Sequence, residues 1–166
     1  TQFEQRPGNY LAFFSSFEYM EMAVAELSRR NPGIALWSQK RNMAADERAG
    51  FIARFEPSGR GIGFAVLGGI FGEGVDLPGS RLVGAFVATL GLPQHDALNE
   101  RMRQRMQDRF GDGYAYTYLY PGIRKVVQAG GRVIRSETDE GVLWLLDQRF
   151  AQPEVARLLP DWWNWC

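Results

Sequence analysis

Five short apolar runs recur along the chain and constrain its fold more than any other feature. They are "YLAFF" (10–14), "IALWS" (34–38), "IGFAVLGGIF" (62–71), "RLVGAFVATL" (81–90) and "VLWLLD" (142–147). Each is nearly continuous rather than alternating and rich in β-branched and aromatic residues, the pattern of strands buried on both faces. Between them lie segments with helical spacing. Phe17, Met20, Val24 and Leu27 step by three, four and three along one face until "NPG" (31–33) stops them. Phe51, Ile52 and Phe55 mark a second helix that ends before Pro57, and Leu98, Met102, Met106 and Phe110 step by four along a third, ended by "GDG" (111–113). Strand alternating with helix predicts an α/β fold with a mostly parallel sheet covered on both sides. One stretch fits two patterns. "YAYTYLYPG" (114–122) has Tyr at every second position, as in a strand, yet Pro121 also suits the first turn of a helix through "GIRKVVQAGG"; the helix is the reading adopted.

The 166 residues suffice for one domain, and the absence of repeats, low-complexity tracts and linkers predicts a single unit over 1–166. With 19 Lys and Arg against 19 Asp and Glu, no global field draws the chain to nucleic acid or to an anionic membrane, so any anion site is local. The one cysteine, Cys166, permits neither an internal disulfide nor an iron–sulfur cluster in this segment, and such usage fits a reducing, cytoplasmic compartment. Gly and charged residues interrupt every apolar run short of the roughly 18 to 20 residues that span a bilayer, so no membrane partner is expected. A start at Thr1 rather than Met suggests a piece of a longer protein.

Neither G-x-G-x-x-G nor G-x-x-x-x-G-K-[ST] occurs, which argues against a complete mononucleotide site in this segment. "GIFGEGVDLPG" (69–79) follows the third strand directly. A Gly-rich loop there, with Glu73 and Asp76, is placed either to meet a sugar hydroxyl or phosphate or simply to connect two strands. "FFSSFEYME" (13–21) opens the first helix. Ser15 and Glu18 form a capping-box pattern, and the same helix start, with the Ser16 hydroxyl, is also suited to a phosphate. In "QAGGRVIRSETDEG" (128–141), Arg132 and Arg135 share a face if the chain is still helical there, and Gly130 and Gly131 allow close backbone approach. Two adjacent guanidiniums need an anion or carboxylates between them. A phosphate would serve, and so would Glu137, Asp139 and Glu140. His95 is the only histidine and belongs at a helix start rather than in a triad or metal site. "NERMRQRMQDR" (99–109) reads as the solvated face of a helix. "LLPDWWNWC" (158–166) is either core or a patch left for a partner.

Taken in order, these motifs resemble the second motor domain of superfamily 2 DNA helicases of the XPD/DinG group. "QAGGRVIRSETDEGVLWLLDQRF" resembles that family's motif VI, Q-x-x-G-R-x-I-R, then D-x-G, an apolar strand and D-x-R. Gln128, Gly131, Arg132, Ile134, Arg135, Asp139, Gly141, Asp147 and Arg149 fit it. "FGEGVDLPG" resembles motif V, and "LAFFSSFEYME" resembles motif IV; Gly72 departs from the Ser or aromatic residue that relatives often carry there. The resemblance implies a RecA-like three-layer sandwich and an ATP site, with Mg²⁺, shared with an N-terminal P-loop motor domain. It implies arginine fingers at Arg132 and Arg135, with Gln128 and Gly131 beside them. It also implies a link from nucleotide to DNA through Glu73, Gly74 and Asp76, and a contact of Ser16 and Phe17 with single-stranded DNA. The alternative is a stand-alone nucleotide- or phospholigand-binding α/β module without catalysis.

Overall fold

The computed structural model describes residues 2–73, 77, 81–133 and 140–164. In chain order the elements are α1 (Gln2–Gln5), β1 (Asn9–Phe14), α2 (Phe17–Arg30), β2 (Ala35–Ser38), α3 (Ala45–Ala53), β3 (Gly61–Val66), α4 (Ile70–Glu73) and β4 (Gly84–Val87). They continue with α5 (Ala97–Phe110), a π-helical turn (Ala115–Leu119), α6 (Tyr120–Gly130), β5 (Val142–Leu145), a 3₁₀ turn (Gln148–Ala151) and α7 (Pro153–Ala156). The five strands form one sheet in the order β2-β3-β1-β4-β5, and every pairing is parallel. The α/β expectation therefore holds, and each of the five apolar runs supplies one strand.

Register decides which side chains meet. One rung crosses the sheet through Trp37, Gly63, Leu11, Ala85 and Leu143, and the next through Leu36, Ile62, Tyr10, Gly84 and Val142. Successive residues point to opposite faces. Leu11 and Phe13 of the central strand β1 thus join the larger core, with Phe51 and Phe55 from the α3 region and Ile123, Val126 and Ala129 from α6. Tyr10, Ala12 and Phe14 join the smaller one, with Met20 buried and Phe17, Val24 and Leu27 of α2 packed around it. The result is three layers: α2 on one face, α3, α4 and α6 on the other. Each large apolar side chain taken from water here contributes about 1.5–3 kcal/mol. At the start of β1, the buried Asn9 amide donates to the carbonyls of Glu56 and Arg81, at 2.7 and 3.1 Å, and so ties two loops to the central strand.

The tyrosine-rich stretch is helical throughout. Its alternation is not that of a strand, because a π turn precedes α6 and the Tyr120 N–H reaches back five residues to the Ala115 carbonyl. Pro121 lies in the first turn of α6, and a proline there has neither an N–H to donate nor room for a close carbonyl below it. The wider turn accommodates both demands. The apolar stripe of α5 takes a different place from those of α2 and α6: no residue of α5 is buried, and Leu98 and Met102 are exposed. His95 sits just before α5, whose cap is Asp96, and its Nε2 lies 3.1 Å from Glu100. Near the end of the chain Trp163 packs on the larger core, whereas Trp162 is exposed. Among the described residues no helix is long and apolar enough to cross a membrane.

Candidate nucleotide and nucleic-acid sites

β1 ends at Phe14, and the chain turns into α2 through two serines. The cap is Ser16, in extended backbone, with its Oγ accepting from the Tyr19 N–H at 3.2 Å. The Ser15–Glu18 capping box expected from sequence is therefore not formed; the cap falls one residue later, because Phe14 still pairs with Val66 in the sheet and Ser15 is spent on the turn. Glu18 instead pairs with Arg41. Its carboxyl is held below the usual range by its own backbone amide first, then by the Ser16 hydroxyl and the Arg41 guanidinium. Arg41 also lies over the Phe17 ring, 4.5 Å from its centroid, a cation–π arrangement. Sequence reasoning missed Arg41. The only signal was the pair of cations in "SQKRN" immediately after a strand.

The neighbouring residue Gln39 was missed as well. It is 8% exposed, its N–H donates to the Phe64 carbonyl at 2.8 Å, and its Oε1 accepts from the Val66 N–H at 3.0 Å. The side chain thereby adds a rung to the β2–β3 ladder beyond the point where β2 stops. Directly afterwards, the Leu67 N–H donates to the Phe14 carbonyl at 2.9 Å. Gly68 then turns with φ +76°, and the aliphatic stem of Lys125 lies 3.0 Å from where a Cβ would stand. A side chain would be strained there twice over, by conformation and by contact. The chain passes into α4, which packs against α6. This brings the backbone of Glu73 beside the helix that leads to Gln128. The Glu73 side chain, Gly74 and Asp76 lie outside the described residues.

α6 buries Ile123, Val126 and Ala129 and leaves Gln128 half-buried on its outer side. Gln128 lines a shallow cleft of about 520 Å³ with Tyr116, Tyr120, Pro121, Arg124 and Lys125. The Lys125 ammonium donates to the Gly91 carbonyl at 3.4 Å, so α6 is tied to the loops after both β3 and β4. Helix ends at Gly130. Gly131 donates to the Val127 carbonyl, Arg132 to Ala129 and Val133 to Gly130, at 2.9 to 3.1 Å, a tightening turn that carries Arg132, half-buried, past the last helical residue. Arg132 is therefore displayed by a turn rather than by a helix face. Gly130 does permit a close approach, but of Trp163, whose ring lies 2.6 Å from where a Cβ would stand. Arg135, Glu137 and Asp139 lie outside the described residues.

Asp147 and Arg149 form a closed unit after β5. Arg149 donates through Nε and Nη2 to the two Asp147 oxygens, at 2.9 and 2.5 Å, and its N–H donates to Oδ1 at 3.0 Å. Arg149 accordingly holds the Asp147 carboxyl below its ordinary value, against the opposing effect of burial. This pair is a structural clamp. The sheet thus divides the candidate residues: Ser16, Phe17 and Arg41 stand at the end of β1 beside the α2 layer, and the Glu73 backbone, Gln128 and Arg132 belong to the α6 layer.

Comparison with known proteins gives this arrangement a context. Residues 1–165 match the family model described as helicase C-terminal domain. A probable ATP-dependent helicase of Methanocaldococcus jannaschii, MJ0942, is 32% identical over 163 residues, covering 87% of this chain and 24% of the relative. The general transcription and DNA repair factor IIH helicase subunit XPD of Arabidopsis thaliana is 27% identical over 171 residues, covering 94% of this chain and 22% of the relative. The chain therefore spans under a quarter of the length of these curated relatives. A solved structure titled XPD_APO superposes with a TM-score of 0.74 at 20% identity, over 94% of this chain and 31% of that one, which establishes the shared RecA-like fold. With nearly every residue inside the matched region and the five-stranded parallel sheet in common, the chain belongs to the helicase C-terminal domain family.

Proposed function

We propose that this domain is the C-terminal motor half of an ATP-dependent DNA helicase of the XPD/DinG group. It would work with a P-loop motor domain of the same protein and contribute one wall of an ATP site between the two. The observation that carries this reading is the packing of α4 against α6, by which the segment leading to Glu73, Gly74 and Asp76 runs beside the helix that presents Gln128 and leads into the Arg132 turn. Among the described residues there is no group of three or more His, Cys, Asp or Glu placed to hold a metal ion. In this reading Mg²⁺ is held by the P-loop domain and the phosphates. Arg132 and Arg135 stabilise charge on the transferring phosphoryl group, which in other nucleotide hydrolases is worth roughly 10³ to 10⁵ in rate.

On the opposite layer, the capped start of α2 and the Phe17–Arg41 pair would form part of the track for single-stranded DNA. Phosphate contacts of this kind give weak, steeply salt-dependent binding by a domain with no net charge. The reading frame upstream of Thr1 provides the test. A G-x-x-x-x-G-K-[ST] loop and an acidic Mg²⁺-binding motif in that frame are expected; a start codon just before Thr1 would leave a lone binding module and overturn the proposal. The 166-residue chain by itself should bind ATP weakly and gain affinity only when the P-loop domain is present.

A further inference from the structure

The α5–π–α6 run carries aromatic side chains that the fold leaves unused. Phe110, Tyr114, Tyr116 and Tyr120 are 42–51% exposed, whereas Tyr118 among them is 4% exposed and donates its hydroxyl to Glu100 at 2.6 Å. Phe110 and Tyr116 stack with centroids 4.7 Å apart, and Tyr116 meets Tyr120 edge to face at 5.2 Å. The rings form a continuous ridge from the last residue of α5, across the π turn, to the first residue of α6. At the same four-residue step Tyr120 leads on to Arg124 and Gln128, which share its cleft. Isolated exposed aromatics are ordinary, but connected ones beside an arginine have the composition of interface anchors.

Charge narrows the partner. Residues 97–130 hold six Lys and Arg against three Asp and Glu in a chain whose total is zero, so this run is locally positive and favours an acidic surface. Ring geometry favours protein over nucleic acid. With Phe110 stacked on Tyr116 and Tyr120 set edge to face against it, the three rings form no row of parallel faces for successive bases, while the two tyrosine hydroxyls can donate to carboxylates. Because Gln128 and Tyr120 line one cleft, a domain that closes over Gln128 also covers the ridge.

We infer that the Phe110–Tyr116–Tyr120 ridge, with Arg124, docks on an acidic and apolar patch of the P-loop motor domain and extends the interdomain contact beyond Gln128 and Arg132. This rests on the motor-half reading. A photo-crosslinking phenylalanine analogue in place of Tyr120, and separately of Tyr116, in the complete protein should join each site to a peptide of the P-loop domain. The same probe in place of Tyr19, equally exposed but on α2, should not. Crosslinks to single-stranded DNA, to a second copy of the chain, or to nothing would overturn the inference. Independently, Tyr116→Ala with Tyr120→Ala should raise KM for ATP about tenfold with little change in kcat or melting temperature; an unchanged KM, or an equal loss in kcat, counts against it. Wild-type protein with no ATP turnover would instead refute the motor-half reading itself.

Discussion

α5 and α6 are two helices with apolar residues at regular steps, and they meet opposite fates. α6 lays Ile123, Val126 and Ala129 on the sheet, all 4% exposed or less, and its neighbours in the core come from β1, β3 and β4. α5 carries Leu98, Met102, Met106 and Phe110 at steps of four and buries none of them. It is attached by polar contacts: the Tyr118 hydroxyl donates to the Glu100 carboxylate at 2.6 Å, and the Gly113 N–H donates to the Gln107 side chain at 2.9 Å. A periodic stripe defines a face that avoids water when it can. Whether the same domain covers that face depends on the width of the sheet, and five strands are already occupied by α3, α4 and α6.

The comparison can be broken at several points. Ile123→Ala should cost about 2–5 kcal/mol, because α6 cannot retract to fill the hole against the sheet; a loss no greater than at an exposed site, measured by urea unfolding, would mean that α6 is not the helix anchoring this layer. At the far edge of the sheet, Gln39→Leu should cost about 1–3 kcal/mol, since it leaves the half-buried Val66 N–H without its acceptor. Tyr118 tests the polar attachment of α5. Its hydrogen bond to Glu100, then burial, push the hydroxyl pKa up to about 12 from 10.0. The folded state holds that proton more tightly than the unfolded one, so the stabilisation is complete below pH 10 and is lost as pH rises towards 12. Unfolding midpoints should show this alkaline loss in the native sequence and a smaller one in Tyr118→Phe. Smallest of all, Leu98→Ala and Met102→Ala should each change stability by no more than about 0.5 kcal/mol, as surface substitutions do. A large loss at either would show that α5 is packed after all.

The same contrast explains how far the sequence could be read. Parallel strands buried on both faces leave continuous apolar runs, so all five were legible, as was α2 with its stripe through Met20. The exact cap was not. Ser15 and Ser16 are chemically alike, and only the last sheet rung at Phe14 decides between them. The π turn was hidden because Tyr at alternate positions mimics a strand, and the widening at Pro121 depends on three-dimensional fit. Gln39 left no pattern at all: one glutamine after a strand is unremarkable until its carboxamide is seen completing a ladder. Of the candidate site, the order of the motifs was legible; the packing of α4 against α6 was not, because it depends on contacts between segments far apart in sequence. That Arg132 rides on a tightening turn follows from how α6 ends, and that Gly130 makes room for Trp163 depends on packing between residues 33 positions apart.

The most direct test of the account replaces the arginine in the turn after α6. In the complete protein, Arg132→Ala should leave the fold and single-stranded DNA binding intact and reduce ATP turnover by roughly 10³ to 10⁵, with Arg132→Lys restoring little because an ammonium lacks the planar fork. ATP turnover within a few fold of the native rate in Arg132→Ala would contradict the role assigned to this domain.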